Sequence, residues 1–167
     1  MPGLGFIAFG ERAEKVIPSV NQPRYYFDAL DYLKNIPRGM TPFTPALYAI
    51  LQVQRQTKTI RTIGIEKFVE RHQRLAKAFR QEMSKSKNIE LFPQRPSNAI
   101  SVIRLPKSLP NATLIPYLAK EYNWAFAPNA IKSEDRDLFR ISHMGDLSEQ
   151  LMVEIAQGIV KAIEKLS

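Results

Sequence analysis

Apolar positions in this chain change period from one end to the other. From residue 65 to residue 83 they recur at helical spacing. Ile65, Phe68, Val69, Leu75, Phe79 and Met83 fall on one face of a predicted helix. Leu151, Met152, Ile155, Ile159, Ile163 and Leu166 form a second such stripe, and Asp146 with Glu149 reads as its capping box. Between the stripes, Ile89 to Phe92, Ala99 to Leu105 and Phe139 to Ser142 read as strands, and Thr113 to Tyr122 as a helix. Pro116 is placed in the first turn of that helix, where a missing N–H does no harm. Helix, strands, helix, strand, helix predicts a small α/β sandwich.

The first third reads differently. Gly5-Phe6-Ile7-Ala8-Phe9-Gly10 is a continuous apolar run, expected to be a fully buried strand. Glu11 to Val16 look helical, and Tyr26 to Lys34 form a short amphipathic segment. Pro37, Pro42 and Pro45 make the stretch after Ile36 irregular, because each proline pushes the preceding residue out of the α region. Pro45 then suits the first turn of a helix continuing through Leu47, Ile50, Leu51 and Val53, with Thr44 as its N-cap.

Composition narrows the classes. With 167 residues, 44% of them apolar, the chain can bury a real core. It has no cysteine, which removes disulfides and thiolate chemistry and fits a cytoplasmic protein. No run approaches the ~18 apolar residues of a membrane span, and no signal peptide is visible. Net charge is +8. The basic residues Arg71, Arg74, Lys77 and Arg80 alternate with Glu66, Glu70 and Glu82, as on a solvated helix face. No nucleic-acid-binding motif accompanies them, so neither nucleic acid nor membrane is an expected partner.

Candidate chemistry centres on Arg140. Strand alternation points it away from Phe139 and Ile141. Its planar fork of donors matches a carboxylate two bonds at a time, and a turn ending in Gly145 follows. A carboxylate receptor and an ordinary surface strand both fit that spacing. His72 lies on or beside the apolar face of the long helix and reads as structural. No grouping of His, Asp and Glu has metal-ligand spacing.

Three blocks resemble one family in order. Met1-Pro2-Gly3-Leu4 through Ala13 is similar to the Pro-Pro-Gly-Leu strand of class V aminotransferases, closest to the serine–pyruvate, serine–glyoxylate and alanine–glyoxylate group. Tyr25-Tyr26-Phe27-Asp28 with Thr41-Pro42-Phe43-Thr44-Pro45-Ala46 resembles the next block, and Phe139 to Gly145 the C-terminal one. The resemblance implies an α/β chain in which residues 1–63 are a remnant of the fold type I large domain and residues 64–167 are the small C-terminal domain. It implies pyridoxal phosphate as cofactor, amino acid and 2-oxo acid substrates, and a homodimer. Arg140 would grip the substrate α-carboxylate. Thr44, or alternatively Thr41, would donate to the cofactor phosphate of the neighbouring subunit, in keeping with the free N–H groups of a helix start. His143 would belong to a structural turn.

Two departures qualify this. The family's Schiff-base lysine lies in a Ser-x-Lys segment just ahead of the Pro-Pro-Gly motif, and no lysine of this chain occupies that place. Ala127-Pro128 stands where the family often has Gly-Gly. The chain alone is therefore expected to be inactive. A different class stays open: a non-catalytic interaction chain that complements a separate N-terminal half.

Overall fold

The computed structural model describes residues 3–127 and 137–167. Two compact units divide it, Met1–Thr62 and Ile63–Ser167.

The first unit is helical. It contains α1 (Glu11–Val16), α2 (Ala29–Asn35) and most of α3 (Leu47–Ile63), with short 3-10 turns after α1 and α2. Asp28 caps α2 by accepting from the Leu30 N–H at 3.0 Å, satisfying one orphan donor of the first turn. None of the three helices contributes a buried residue. The strand expected at Gly5–Gly10 does not form, and Phe6 and Ile7 are 81% and 75% exposed. A lone apolar run cannot satisfy its backbone groups as a strand without a pairing partner, and the described residues of this unit supply none. Helix α3 starts at Leu47, later than expected, so Pro45 precedes it and Thr44 does not cap it.

The second unit holds the core. Its elements are α4 (Ile65–Met83), β1 (Glu90–Leu91), β2 (Ile100–Arg104), α5 (Asn111–Tyr122), β3 (Leu138–Ser142) and α6 (Glu149–Leu166). The strands form an antiparallel sheet in the order β1-β2-β3, in which Leu91 faces Ile103 and Val102 faces Arg140. The mixed α/β architecture read from the sequence is thus realised. Ser101, Ile103 and Leu105 alternate inward along β2 and its exit, as Phe139, Ile141 and His143 do along β3 and its exit. Against them pack Phe79 and Met83 of α4, Leu114 and Leu118 of α5, and Met152 and Ile159 of α6. Burying each such side chain contributes roughly 1.5–3 kcal/mol.

Several local expectations change. The α4 stripe is buried from Leu75 onward, while Ile65 and Val69 at its start are exposed. Pro116 is the sixth residue of α5, not in its first turn, because the helix begins at Asn111. Asp137 makes that early start possible, its carboxylate accepting from the Asn111 N–H at 2.7 Å. The cap of α6 is Ser148, whose hydroxyl accepts from the Leu151 N–H at 3.1 Å, so the Asp146–Glu149 box is not formed. Both acids serve α4 instead: Asp146 lies 3.6 Å from Arg71 and Glu149 2.8 Å from Arg74.

Candidate functional site

Strand β3 places Arg140 as its alternation predicts. Phe139 and Ile141 are buried on the inner face, and Arg140 is exposed on the outer one. Its cross-strand neighbour, Val102, offers it no hydrogen-bonding group from the side chain. Among the described residues Arg140 makes no hydrogen bond or ion pair. The other arginine of this sheet, Arg104, is engaged toward β1, 3.9 Å from Glu90 and 4.9 Å from the Phe92 ring centroid. An uncommitted guanidinium on a rigid strand is a competent anion receptor, because all its donors remain available.

The turn after β3 is held from α4. Arg71 donates to the carbonyls of Gly145 and Leu147 at 2.9 and 3.0 Å. Gly145 has φ +102°, a conformation that side chains other than hydrogen rarely adopt. Arg71 and Arg80 are therefore not members of a solvated basic face; both are spent on backbone carbonyls.

Thr41 and Thr44 share one loop of the first unit, whereas Arg140 belongs to the second. Thr41 donates its hydroxyl proton to the Phe43 carbonyl at 2.7 Å. Thr44 makes no hydrogen bond among the described residues. Tyr25 and Tyr26 pack their rings on Phe43 at 5.2 and 4.9 Å, fixing the loop between the two threonines. The first-turn N–H groups of Tyr48 and Ala49 have no partner among the described residues, as at any helix start. Pro128 lies outside the described residues.

His143 faces away from Arg140 and is fully buried. Its Nε2 is 2.8 Å from the Ser101 hydroxyl, which in turn accepts from Arg80 Nε at 2.8 Å. Burial first, then the positive charge of Arg80 and the electrostatic influence of His72, lower its pKa from 6.5 to about 4. It is a neutral structural imidazole, not a general base for the outer face. Sequence reasoning missed Ser101 and Arg80. The available signal was Arg80 flanked by Phe79 and Met83 on the apolar stripe of α4. No cluster among the described residues could hold a metal ion, and no helix among them is long and apolar enough to cross a membrane.

Comparison with known proteins gives this geometry a context. No family model matches the chain. It is 26% identical over 153 residues to the L-aspartate–glyoxylate aminotransferase of Paracoccus denitrificans, covering 90% of this chain and 38% of that protein. It is 29% identical to the serine–glyoxylate aminotransferase of Methylorubrum extorquens, covering 93% and 40%. A protein from Synechococcus named soluble hydrogenase small subunit is 25% identical, covering 99% and 43%. Among solved structures, the ureidoglycine–glyoxylate aminotransferase of Bacillus subtilis superposes with a TM-score of 0.74 at 18% identity, over 95% of this chain and 42% of that one. The chain spans about two-fifths of the length of the relatives it matches. Over nearly its whole length it is similar to a C-terminal-like portion of the glyoxylate aminotransferases, and it shares their fold.

Proposed function

We propose that this chain is the carboxylate-binding part of a pyridoxal-phosphate-dependent aminotransferase. The intact enzyme moves an amino group from serine or alanine to a 2-oxo acid such as glyoxylate or pyruvate. The observation that carries this reading is Arg140, an exposed guanidinium without a partner among the described residues, on a strand whose neighbours are packed into the core. Arg140 holds the substrate α-carboxylate by two parallel N–H···O bonds, which contributes orientation rather than chemistry. Pyridoxal phosphate, when bound, supplies the electron sink of amino-group transfer.

The residues present fit the phosphate end of that cofactor. The start of α3 offers the free N–H groups of Tyr48 and Ala49, and Thr44 keeps an uncommitted hydroxyl beside them in sequence. Thr41 would first have to release the Phe43 carbonyl. Thr44 is therefore the better donor, across a homodimer interface in the cytoplasm. The chain spans only about two-fifths of the length of its relatives, so alone it is not expected to turn over.

Two preparations test this. The first is the chain expressed together with any in-frame coding sequence ahead of Met1, assayed for serine-to-glyoxylate transfer. Arg140→Ala is expected to raise KM for the amino acid about thirtyfold or more, the loss of a charge-assisted bidentate pair. No transfer, or an unchanged KM, overturns the reading. The second is the 167-residue chain with pyridoxal phosphate and borohydride. A stoichiometric lysine adduct together with turnover would overturn the inactivity of the chain alone.

A second reading rests on a separate observation. Phe6, Tyr25, Phe27 and Tyr48 are 81%, 79%, 86% and 84% exposed, in a unit whose described helices bury nothing. An apolar surface of that kind favours a chain that completes itself by binding another polypeptide.

A further inference from the structure

We propose that Ser101 and His143 form a proton-sensitive lock that fastens β2 and β3 to α4, with Arg80 as its positioning residue. The inference does not depend on the aminotransferase reading.

Proton accounting fixes the closed state. A guanidinium only donates, so Ser101 Oγ accepts from Arg80 Nε, at 2.8 Å. The Ser101 proton then has one acceptor in reach among the described residues, Nε2 of His143 at 2.8 Å. Nε2 is therefore bare and the imidazole proton sits on Nδ1. There it faces the Met152 thioether of α6 at 3.3 Å, a weak acceptor. Arg80 also donates through Nη2 to the Ile100 carbonyl at 3.0 Å and to the Ser97 carbonyl, and the His143 N–H donates to Ala99 at 2.8 Å. One connected set of bonds thus joins α4, the start of β2 and the exit of β3, and reaches α6.

Adding a proton to His143 weakens the set. Nε2–H would turn toward the hydroxyl oxygen that already accepts from Arg80, and the Ser101 proton would lose its acceptor. The new charge would face Arg80 and His72, both on α4. Among the described residues β2 offers only the Ser101 hydroxyl, and α6 only a thioether, so no carboxylate compensates. Burial first, then electrostatic repulsion from Arg80 and from the His72 side, brings the His143 pKa down to about 4. The lock is closed at neutral pH and opens in acid, releasing the strand that carries Arg140.

A titration of the full chain with 15N-labelled histidine, from about pH 7 to about pH 3, tests the lock. His72→Gln distinguishes the two histidine signals. Expected are a bare Nε2 and a protonated Nδ1 at neutral pH, and a midpoint near 4. Amide protection of Ser101, Ile141 and His143, corrected for intrinsic exchange, should fall at least about tenfold across that midpoint. Arg80→Met should raise the midpoint by removing the cationic neighbour and should lower the protection of Ser101 at neutral pH by removing its donor. If Arg80→Met does not fold, the wild-type titration decides alone. A protonated Nε2 at neutral pH, or protonation with protection intact, overturns the proposal.

Discussion

The indole of Trp124 occupies the space into which any side chain at position 158 would project. A Cβ built on Gly158 would lie 2.6 Å from Trp124 Cη2 and 3.3 Å from Tyr122 Cε1. Trp124 is itself stacked on Tyr122, with ring centroids 4.5 Å apart, so moving the indole aside disrupts that stack. Gly158→Ala should gain up to about 1 kcal/mol of helix propensity in α6 and lose about 1–3 kcal/mol to overpacking. We expect net destabilisation in urea unfolding. Emission from the only tryptophan of the chain should shift to the red as the ring is displaced.

Arg71 and Arg74 stand a turn apart on α4 and should behave differently. Arg71 holds two backbone carbonyls of the turn after β3, with its side chain 29% exposed. Among the described residues Arg74 pairs only with Glu149, both being more than half exposed. Arg71→Ala is expected to cost about 1–3 kcal/mol, since two backbone carbonyls of the turn, one of them part-buried, lose a charged donor. Arg74→Ala should stay within about 0.5 kcal/mol. Equal losses in chemical denaturation would contradict this assignment.

His143 makes stability fall with acid over a defined window. Its folded pKa, about 4, lies below the ordinary 6.5. The unfolded chain therefore binds a proton before the folded chain does. The contribution is fully present above 6.5, declines as pH drops toward 4, and changes no further below it. The span corresponds to roughly 3 kcal/mol at the conversion of about 1.4 kcal/mol per pKa unit. Unfolding free energies at several pH values should show a flatter slope in His143→Gln than in the parent chain.

Every buried residue among those described lies at position 75 or beyond. The first unit should accordingly open at little free-energy cost, and limited proteolysis should attack it first. We expect a resistant product close to residues 63–167 whose unfolding midpoint matches that of the full chain. A midpoint lowered by removal of the first unit would show that the two stabilise each other.

How legible this was in the sequence depended on where the determining contacts lie. Helices α1 and α4 were read residue for residue, because their signals are local: acidic starts, apolar spacing and a glycine ahead of α4. The outward aim of Arg140 was also legible, since alternation needs no tertiary information. The failures are non-local. Phe6 to Phe9 has the composition of a buried strand but needs partner strands that a window of sequence cannot guarantee. Asn111 starts α5 because Asp137, 26 residues later, supplies the missing acceptor. Ser148 rather than Asp146 is the cap because α6 begins at Glu149, which leaves Asp146 outside the helix start, 3.6 Å from Arg71. Arg80 read as one more surface cation until Ser101 and the Ser97 and Ile100 carbonyls were brought against it.

Strand β3 closes one side of the three-stranded sheet among the described residues. Such a margin is a template on which a strand from another molecule can grow. Along it, Arg140 is the charge that interrupts Leu138, Phe139 and Ile141. With valine there, the margin would become an uninterrupted apolar, β-prone segment of the kind that seeds fibrils. An uncharged residue at position 140 is therefore expected to lower the concentration at which the chain begins to assemble with itself, which light scattering of Arg140→Val against the parent chain would check.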